Sequence, residues 1–337
     1  MDPSARRNLG RSKVSLTAIG LGGAPMGNLF RLVAEGDARA TVEAAWNAGL
    51  RYFDTAPLYG HGLGEQRIGA ALRSRPRDDF IVSTKVGRLL VPDAAADGGA
   101  YVQVPPHRPV FDYSRDGTLR SVEASLARLG LDRVDLLLIH DIDAFTHGPD
   151  EQAQRYREAM AGAYPALVEL RRAGTVGAIG LGVNDWRVCV RAAEDGDFDG
   201  FLVAGRYTLL EQEPLDSFLP MCARRGIGVI AAGVYNSGIL ATGPGPDAMY
   251  NYRPAPADIQ ARAGRIGRVC LSHGVTLAAA ALRLPSMHPA IASIVLGMRD
   301  ADEVARNLVL ARQSIPDGLW RDLKAEGLLH PAAPTGP

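Results

Sequence analysis

One acidic side chain and one phenol stand five positions apart in the stretch Phe-Asp-Thr-Ala-Pro-Leu-Tyr-Gly, at residues 53–60. Asp54 ends a short apolar run that is typical of a strand, and Tyr59 follows in the loop. Two later runs of the same kind end in Lys85 and in His140. Side chains of these types can transfer a proton, because a phenol that lies beside an ammonium group and an imidazole can act as a general acid or base.

Each of the four residues alone has an ordinary structural explanation, as a helix cap, a packed ring or a satisfied polar group. Their occurrence on three consecutive strand ends favours a catalytic set. A buried charge is seldom left without a partner, so we expect Asp54 and Lys85 to pair. We also expect Lys85 to favour the phenolate and lower the pKa of Tyr59 from about 10. The set contains neither a nucleophile nor a metal cage, so hydride chemistry would require a cofactor.

Short β-rich runs alternate with longer segments of helical periodicity along the chain. Strands are predicted at residues 17–21, 51–53, 80–84, 134–139, 178–181, 200–203, 228–231 and 292–296. Helices are predicted at residues 38–48, 65–73, 119–129, a long segment ending near 172, 186–193, 216–225, 259–272 and 301–312. Apolar runs such as 134–139 are typical of strands covered on both faces. Eight alternations predict a closed (β/α)₈ TIM barrel, whose chemistry lies at the carboxyl ends of the strands.

The barrel is predicted to form a single domain over residues 1–337, with its core at about 8–315. A β-hairpin at 8–15 would cap the barrel floor. Two segments rich in Gly and Pro, 88–117 and 242–256, are predicted to be long active-site loops. The first contains Tyr101, Phe111 and Tyr113, which indicate a loop that folds over a ligand. The tail at 331–337 is predicted to be loose.

Composition narrows the classes of function. The 37 basic and 37 acidic residues give a formal net charge of zero, which favours neither nucleic acid nor an anionic membrane as a partner. The sequence shows neither a signal peptide nor an apolar run of the roughly 18 residues that a span requires, so a cytoplasmic location is expected. Three widely spaced cysteines indicate neither a disulfide framework nor a zinc site. A small-molecule substrate is the expected partner, and a homo-oligomer is compatible with the sequence.

Several stretches in order resemble the aldo-keto reductase superfamily. They are Phe53–Gly60 with Gly64-Glu65, Ser83-Thr84-Lys85, Leu138-Ile139-His140 and Gly180–Asn184, within a likeness from about residue 8 to about 312. The resemblance implies a (β/α)₈ barrel and a nicotinamide dinucleotide bound without a Rossmann domain. It also implies that Tyr59 is the general acid/base and that Asp54, Lys85 and His140 complete the catalytic set. The run Gly20-Leu21-Gly22-Gly23 lacks the third glycine of a dinucleotide fingerprint.

The resemblance further implies which residues hold the dinucleotide: a residue for the nicotinamide carboxamide, a small-residue loop for the pyrophosphate and a segment for the adenosine end. In chain order they are Asn184, Tyr207, Tyr235, Asn236, Ser237, Gly238, Leu240, Gly297, Arg299, Glu303 and Asn307. Two departures stand out: Ala204 replaces a glutamine common in the superfamily, and 231–234 lacks the usual aromatic that stacks on nicotinamide. Three carboxylates in 300–303 beside Arg299 favour NAD over NADP, because a 2′-phosphate requires cations.

Three stretches, Phe111–Ser114, Ala204–Leu210 and Tyr235–Leu240, resemble the branch that contains D-threo-aldose 1-dehydrogenases (L-fucose or L-galactose dehydrogenases) and pyridoxal 4-dehydrogenases. This resemblance implies oxidation of the hemiacetal carbon of an aldose such as L-fucose, L-galactose or D-arabinose to a lactone. Formation of 4-pyridoxolactone from pyridoxal, or general aldehyde or ketone reduction, is the alternative. Sugar hydroxyls would require polar partners at the rim, for which the candidates are Asp141, Asp143, His147 and Arg206.

Two rival classes of function remain open from the sequence. A nicotinamide-binding regulatory subunit, like the potassium-channel β subunits, would carry a large exposed apolar patch or an appended segment, and the sequence shows neither. A metal-dependent barrel hydrolase would need ligand pairs, for which Asp141 and Asp143 beside His140 are a weak candidate. No metal site is therefore predicted.

Overall fold

Eight parallel strands close into a barrel in the computed structural model of this chain, which describes residues 1–335. Each strand pairs with the next along the chain, and the eighth pairs with the first. The strands are β1 (Ile19–Gly22), β2 (Tyr52–Asp54), β3 (Ile81–Val86), β4 (Leu136–His140), β5 (Ala178–Val183), β6 (Gly200–Ala204), β7 (Gly228–Ala232) and β8 (Ile291–Gly297). The predicted (β/α)₈ barrel is confirmed.

Strand boundaries differ from the predicted ones in two informative places. Strand β1 begins two residues late, because Ser15–Thr17 pairs instead with Arg6–Asn8 as the second arm of a hairpin. Strand β3 continues to Val86, so Lys85 lies within the strand, opposite Leu138 of β4. The lysine is therefore held by sheet pairing and not by a loop.

The barrel interior is filled by side chains that alternate along each strand. Tyr52, Leu136 and Leu138 lie in one buried cluster, together with Leu9 and Leu16 from the hairpin below. The hairpin predicted for the floor thus plugs the bottom of the barrel. The intervening outward residues join the larger cluster between barrel and helices. Because the period of a strand is two residues, the inward set continues upward through Asp54, Lys85 and His140.

Twelve α-helices surround the barrel within the described residues. They are α1 (Glu35–Asn47), α2 (Leu63–Leu72), α3 (Arg115–Leu129), α4 (Ala144–Ala161), α5 (Ala163–Arg172), α6 (Arg187–Asp195), α7 (Phe218–Arg225), α8 (Ile239–Thr242), α9 (Ala257–Ser272), α10 (Leu277–Ser286), α11 (Ala301–Arg312) and α12 (Asp317–Ala325). The long predicted helix ending near residue 172 is two helices, α4 and α5. Helices α8, α10 and α12 were not predicted; α8 is a single turn, and α10 is a largely buried apolar helix.

The two predicted active-site loops each contain a small antiparallel hairpin at the barrel mouth, which is the end where the strands finish. The first mouth hairpin pairs Arg88–Pro92 with His107–Phe111, and the second pairs Met249–Tyr250 with Arg253–Pro254. A β-bridge from Leu29 to Tyr101 joins the first hairpin to the loop after β1. Paired backbone therefore forms part of the wall of the mouth.

The carboxyl end of the chain returns to the outer surface of the barrel. Ala333, in the segment predicted to be loose, is buried, and Lys324 Nζ donates to the carbonyl oxygens of Pro331 and Ala333 at 3.0 and 2.8 Å. Residues 336 and 337 of that predicted tail lie outside the described residues. The three cysteines are buried free thiols. Among the described helices, none has the length and apolarity that a membrane crossing needs.

Candidate active site

The ends of β2, β3 and β4 bring Asp54, Lys85 and His140 to one place at the barrel mouth. All three are buried, with only 2%, 1% and 6% of each residue exposed. Lys85 Nζ lies 3.0 Å from Asp54 Oδ1 and 2.8 Å from Asp54 Oδ2. The predicted pair between these two charges is thus present, as a bidentate contact inside the barrel.

The remaining bonds of this ion pair are made locally. Lys85 Nζ also donates to the carbonyl oxygen of Thr55 at 2.8 Å, which gives its three protons three acceptor atoms. Ser83 Oγ donates to Asp54 Oδ1 at 2.7 Å and lies 2.9 Å from the hydroxyl of Tyr52. A buried ion pair offsets its desolvation only when such bonds satisfy its remaining donors and acceptors.

Tyr59 lies directly over the lysine. Lys85 Nζ is 4.6 Å from the centroid of the Tyr59 ring, a cation–π contact, and the His140 ring stands edge-on at 6.0 Å. The turn that carries Tyr59 is fixed by two glycines packed back to back. Gly60 has φ +61°, and a Cβ there would lie 2.3 Å from the carbonyl oxygen of Gly27. The residue after the phenol must therefore be glycine for the ring to keep this position.

The pKa of the Tyr59 phenol is raised well above its ordinary value, the opposite of the direction expected from the sequence. Burial is the main cause, and the carboxylate of Asp54 adds to it. The ammonium of Lys85 does not reverse this, because Asp54 neutralises it and all its N–H bonds point to Asp54 and Thr55. The phenol is therefore protonated at neutral pH in this structure.

His140 is neutral at neutral pH, because burial lowers the pKa of its imidazole well below the ordinary value. Its Nε2 lies 3.4 Å from Asp141 Oδ2, and its Nδ1 is buried without a hydrogen-bond partner among residues 1–335. The backbone at His140 is also held in place, because the hydroxyl of Tyr113 donates to the carbonyl oxygens of His140 and Asp141 at 2.8 and 2.9 Å. Such a ring can donate to or accept from a substrate oxygen without carrying charge.

Asp141 organises this corner of the site. Arg88 Nη2 donates to Asp141 Oδ2 at 2.7 Å in a second buried ion pair, and Asn184 Nδ2 donates to Asp141 Oδ1 at 3.3 Å. Burial alone would raise the pKa of Asp141, but His140 and Arg88 outweigh it and lower the pKa below its ordinary value. The carboxylate is therefore ionised, and it links the predicted catalytic histidine to the predicted nicotinamide-binding asparagine.

The other polar residues expected at the rim are also engaged by the protein. Asp143 caps α4 by accepting from the backbone N–H of Thr146 at 3.0 Å, and it accepts two more bonds from the backbone of the loop after β5. His147 Nε2 lies 2.8 Å from the carbonyl oxygen of Asp141. Arg206 Nε donates to the carbonyl oxygen of Asn184 at 2.6 Å, and its Nη1 donates to Asn251 Oδ1 at 2.9 Å. Their first role is to hold the mouth loops together.

The predicted cofactor-binding residues lie at or beyond the carboxyl ends of β5, β6, β7 and β8, with Glu303 and Asn307 on α11, on the arc of the barrel opposite the predicted proton-transfer residues. Within residues 1–335, three of them bury a polar atom that has no hydrogen-bond partner: Tyr207 at its hydroxyl, Asn236 at Oδ1 and Arg299 at Nε. Buried polar atoms are costly to leave unpaired, so these positions suit a polar ligand. Gly238 has φ +111° and open space on its Cβ side, which leaves its backbone accessible to a ligand. The residues present therefore fit a dinucleotide.

At the end of this arc two arginines, Arg299 and Arg31, lie near one carboxylate, that of Glu303. The backbone N–H of Arg299 donates to Glu303 Oε2 at 2.8 Å, and Arg299 Nη1 lies 3.6 Å from Glu303 Oε1. Arg31 approaches the same carboxylate at 3.7 Å. The hydroxyl of Tyr235 donates to Asn307 Oδ1 at 2.7 Å, so the loop after β7 is tied to α11. Glu303 thus neutralises Arg299 and Arg31, the two cations that would otherwise be available to bind a phosphate here.

Sequence reading missed two features of the site. The partnership of Arg88 with Asp141 was not predicted, because an arginine opening a loop carries no signal of burial. A set of aromatic side chains above Tyr59 was found only in part: Tyr101 was expected to fold over the site, and its ring lies 6.4 Å from that of Tyr59. Tyr252, which belongs to the second mouth hairpin, was not singled out.

The chain matches the sequence model of the Aldo/keto reductase family over residues 18–325. It is 42% identical to pyridoxal 4-dehydrogenase of Microbacterium luteolum, covering 97% of this chain and 98% of that one. It is also 42% identical to D-threo-aldose 1-dehydrogenase of a Pseudomonas species, covering 94% and 96%, and 30% identical to L-galactose dehydrogenase of Arabidopsis thaliana, covering 96% and 94%.

Solved structures with the same fold include an aldo-keto reductase of Bacillus halodurans in its holo form and a glycerol dehydrogenase of Gluconobacter oxydans. Each has a TM-score of 0.72 to this chain. The first is 23% identical and covers 97% of both chains, and the second is 21% identical and covers 100% and 99%. At that identity the likeness supports the fold alone.

Replacement of Lys85 by Met tests the energetic importance of the buried pair. We expect a loss of about 3 kcal/mol or more in the free energy of unfolding, because Asp54 would remain buried without its partner. The measurement is the urea unfolding midpoint. The control is Arg39→Met, at an exposed i,i+4 pair with Glu43, where a much smaller shift of the midpoint is expected because solvent screens the pair. Equal losses in the two variants would show that the buried pair is no more important than a surface one.

Proposed function

The chain belongs to the aldo/keto reductase family and is an oxidoreductase that acts on CH–OH groups, and on this premise we propose that it oxidises the hemiacetal carbon of a small cyclic hemiacetal to a lactone with a nicotinamide dinucleotide. The observation that carries the proposal is the Lys85–Asp54 pair directly beneath the ring of Tyr59. Relatives named as dehydrogenases at 42% identity over nearly the whole chain support the oxidative direction.

Tyr59 is proposed to take the proton of the substrate hydroxyl. Its ring lies over Lys85, which is itself held by Asp54, so the phenol has a fixed position at the barrel mouth. The ion pair supports this role by holding the Tyr59 ring in position. It does not keep Tyr59 ionised, because the pKa of the phenol is raised. In the reductive direction the same protonated phenol would donate to a carbonyl oxygen.

His140 is proposed to orient the substrate oxygen. It is neutral and buried and has one ring nitrogen without a partner within the described part of the chain. A neutral imidazole can hydrogen-bond the substrate oxygen whether or not that oxygen carries a proton, because the ring has one donor and one acceptor nitrogen. Asp141 would then hold the ring in one orientation, with Arg88 keeping Asp141 ionised.

The dinucleotide is proposed to lie along the ends of β5 to β8. Asn184 would bind the carboxamide, the 235–240 loop the pyrophosphate, and Arg299 with Asn307 the adenosine end. When bound, an oxidised nicotinamide would supply the acceptor for the hydride of the substrate carbon. A C=O bond replaces the C–H bond of the hemiacetal carbon and the O–H bond of its hydroxyl. Tyr59 takes the hydroxyl proton. The product is a lactone because the same carbon is bonded to the ring oxygen.

Two substrates are supported by the relatives: an aldose, as for the D-threo-aldose 1-dehydrogenase, and pyridoxal, as for the pyridoxal 4-dehydrogenase. Both can present a ring hydroxyl on a hemiacetal carbon, so the same proton and hydride transfers serve either one. NADH formation on a panel of aldoses and pyridoxal tests the proposal directly. Reduction of simple aldehydes without any such oxidation would contradict it.

Replacement of Tyr59 by Phe removes the proposed proton acceptor. We expect turnover to fall by roughly 10²- to 10⁴-fold, the usual size of general acid/base catalysis, with dinucleotide affinity unchanged. Steady-state kinetics and a fluorescence titration with NAD⁺ measure the two effects. The control is Tyr164→Phe, which removes a phenol on the outer helix α5 whose hydroxyl accepts from the backbone of Asp197. Near-normal turnover in Tyr59→Phe would rule out this role.

The pH dependence of oxidation follows from the two pKa shifts. The reacting form of Tyr59 is the deprotonated one, and its pKa is raised, so kcat/KM should rise by about tenfold per pH unit without a plateau up to about pH 10. His140 loses its proton well below pH 6.5, so no imidazole step is expected between about pH 7 and 9. A plateau that begins near pH 8 would instead support a phenol pKa lowered by Lys85.

Cofactor preference is proposed to depend on Glu303. We expect kcat/KM to be higher with NAD⁺ than with NADP⁺, because this carboxylate neutralises Arg299 and Arg31 and would repel a 2′-phosphate. Glu303→Gln should move the NADP⁺/NAD⁺ ratio upward by roughly tenfold, the effect of about 1.4 kcal/mol. The control Asp302→Asn makes the same charge change at an exposed neighbour. A wild-type preference for NADP⁺ would contradict the proposed role of this carboxylate.

A further inference from the structure

Exposed large hydrophobic side chains are concentrated at the barrel mouth. In the part of the chain that the structure describes there are seven, and two of these, Leu271 and Val309, lie on the outer helices α9 and α11. The other five lie beyond the strand ends: Phe30, Leu32, Val102 and Tyr252 are in loops, and Phe145 is in the first turn of α4. A cluster of exposed apolar groups marks a surface that binds a ligand or a partner.

Three of these side chains form a connected group that we name the aromatic collar: Phe30, Phe145 and Tyr252. The centroid of the Tyr252 ring lies 6.4 Å from that of Phe30 and 6.4 Å from that of Phe145. Phe30 and Tyr252 come from the loops after β1 and β7, and Phe145 comes from the start of α4, which follows β4. The exposed fraction is 42% for Phe30 and 46% for both Phe145 and Tyr252. Rings this close to one another can also hold a further ring by stacking or by edge contact.

The collar lies above the proposed reaction site. The backbone N–H of Phe30 donates to the carbonyl oxygen of Ala100 at 2.7 Å, beside Tyr101, whose ring lies 6.4 Å from that of Tyr59. Tyr252 is itself near enough to Tyr59 to disfavour its ionisation. A substrate with its hydroxyl at Tyr59 would therefore extend toward the collar.

Tyr252 occupies a backbone conformation that its side chain disfavours. It and Asn251 form the two-residue turn of the second mouth hairpin, with φ values of +64° and +49°. Positive φ at both positions is the hairpin turn for which Asn-Gly is the preferred sequence, and a bulky side chain at the second position is strained. Its N–H donates to Ser237 Oγ at 3.0 Å, which holds the turn against the loop after β7. Strain that the surroundings maintain points to a functional role for the ring.

The mouth is less suited to sugar hydroxyls than the sequence indicated. The four polar candidates, Asp141, Asp143, His147 and Arg206, all have partners within the protein. A sugar would have to compete with these bonds, whereas a flat ring would need only the exposed faces of the collar. The balance of apolar and free polar groups therefore favours an aromatic substrate.

We propose that the aromatic collar binds the ring of a planar heteroaromatic hemiacetal, of the pyridine class, and that Tyr252 selects such substrates over aldoses. This inference rests on the proposed function for its chemistry, because the hydroxyl of the bound ring must meet Tyr59. It adds a substrate class and a specificity-determining residue that lies outside both the proton-transfer set and the dinucleotide arc.

The variant Tyr252→Gly tests the proposal without endangering the fold, because glycine is the residue that this turn prefers. We expect its melting temperature to equal or exceed that of the wild type. Its kcat/KM for pyridoxal should fall by about tenfold, the contribution of one aromatic contact, while that for L-fucose changes by less than about threefold. Tyr252→Phe keeps the ring and should keep the wild-type preference. The control Val309→Ala, at an exposed position on α11, should change neither.

Direct binding separates this proposal from the proposed function. Pyridoxine, which has the ring without the hemiacetal, is titrated calorimetrically into wild type and Tyr252→Gly, with L-fucitol as the sugar counterpart. We expect pyridoxine to bind wild type about tenfold more tightly than the variant, and L-fucitol to show no difference. Binding of this kind without any NADH formation would refute the oxidation and leave the collar supported. Equal pyridoxine affinities, or a wild-type preference for L-fucose, would overturn the collar proposal.

Discussion

The buried ion pair between Lys85 and Asp54 is the constraint on which the site is built. Two opposite charges inside a barrel are tolerated only where each remaining bond is satisfied, and here Thr55 and Ser83 supply those bonds. The pair joins the ends of β2 and β3 at the mouth, and the Tyr59 ring, whose turn is held by Gly27 and Gly60, lies over it. The floor can be apolar because all of this polarity is confined to the upper end of the same strands.

A second buried pair, Arg88 with Asp141, extends the polar layer sideways. Through Asp141 it reaches both His140 and Asn184, so the two proposed tasks of proton transfer and dinucleotide binding share one carboxylate. Low dielectric strengthens such contacts and also makes an unpaired member costly, which explains why the site is held as a network. The first mouth hairpin is part of this network, since Arg88 begins it.

The sequence predicted the barrel because short β-rich runs alternate with segments of helical periodicity and marked all eight strands. It placed Asp54, Lys85 and His140 together because each ends one of three consecutive strands, at the edge where the carboxyl ends of barrel strands meet. The pairing of Asp54 with Lys85 was predicted from their neighbouring strand ends, but Arg88 opens a loop, so its pairing with Asp141 was not predicted. Two-residue strands such as Met249–Tyr250 are too short to show a period, and the positive φ of Tyr252 can only be read from coordinates. The direction predicted for the Tyr59 pKa was wrong because burial of the phenol, with the Asp54 carboxylate adding to it, raises the pKa, and the extent of burial cannot be read from the sequence.

The proposed division of the barrel into a proton-transfer arc, β2 to β4, and a dinucleotide arc, β5 to β8, has an evolutionary consequence. Each arc is one continuous stretch of chain, so recombination at the junction between β4 and β5 would exchange one arc while leaving the other intact. The contact between Asp141 and Asn184 would have to remain compatible across that junction. A lineage built this way can inherit its coenzyme preference from one ancestor and its acid–base chemistry from another.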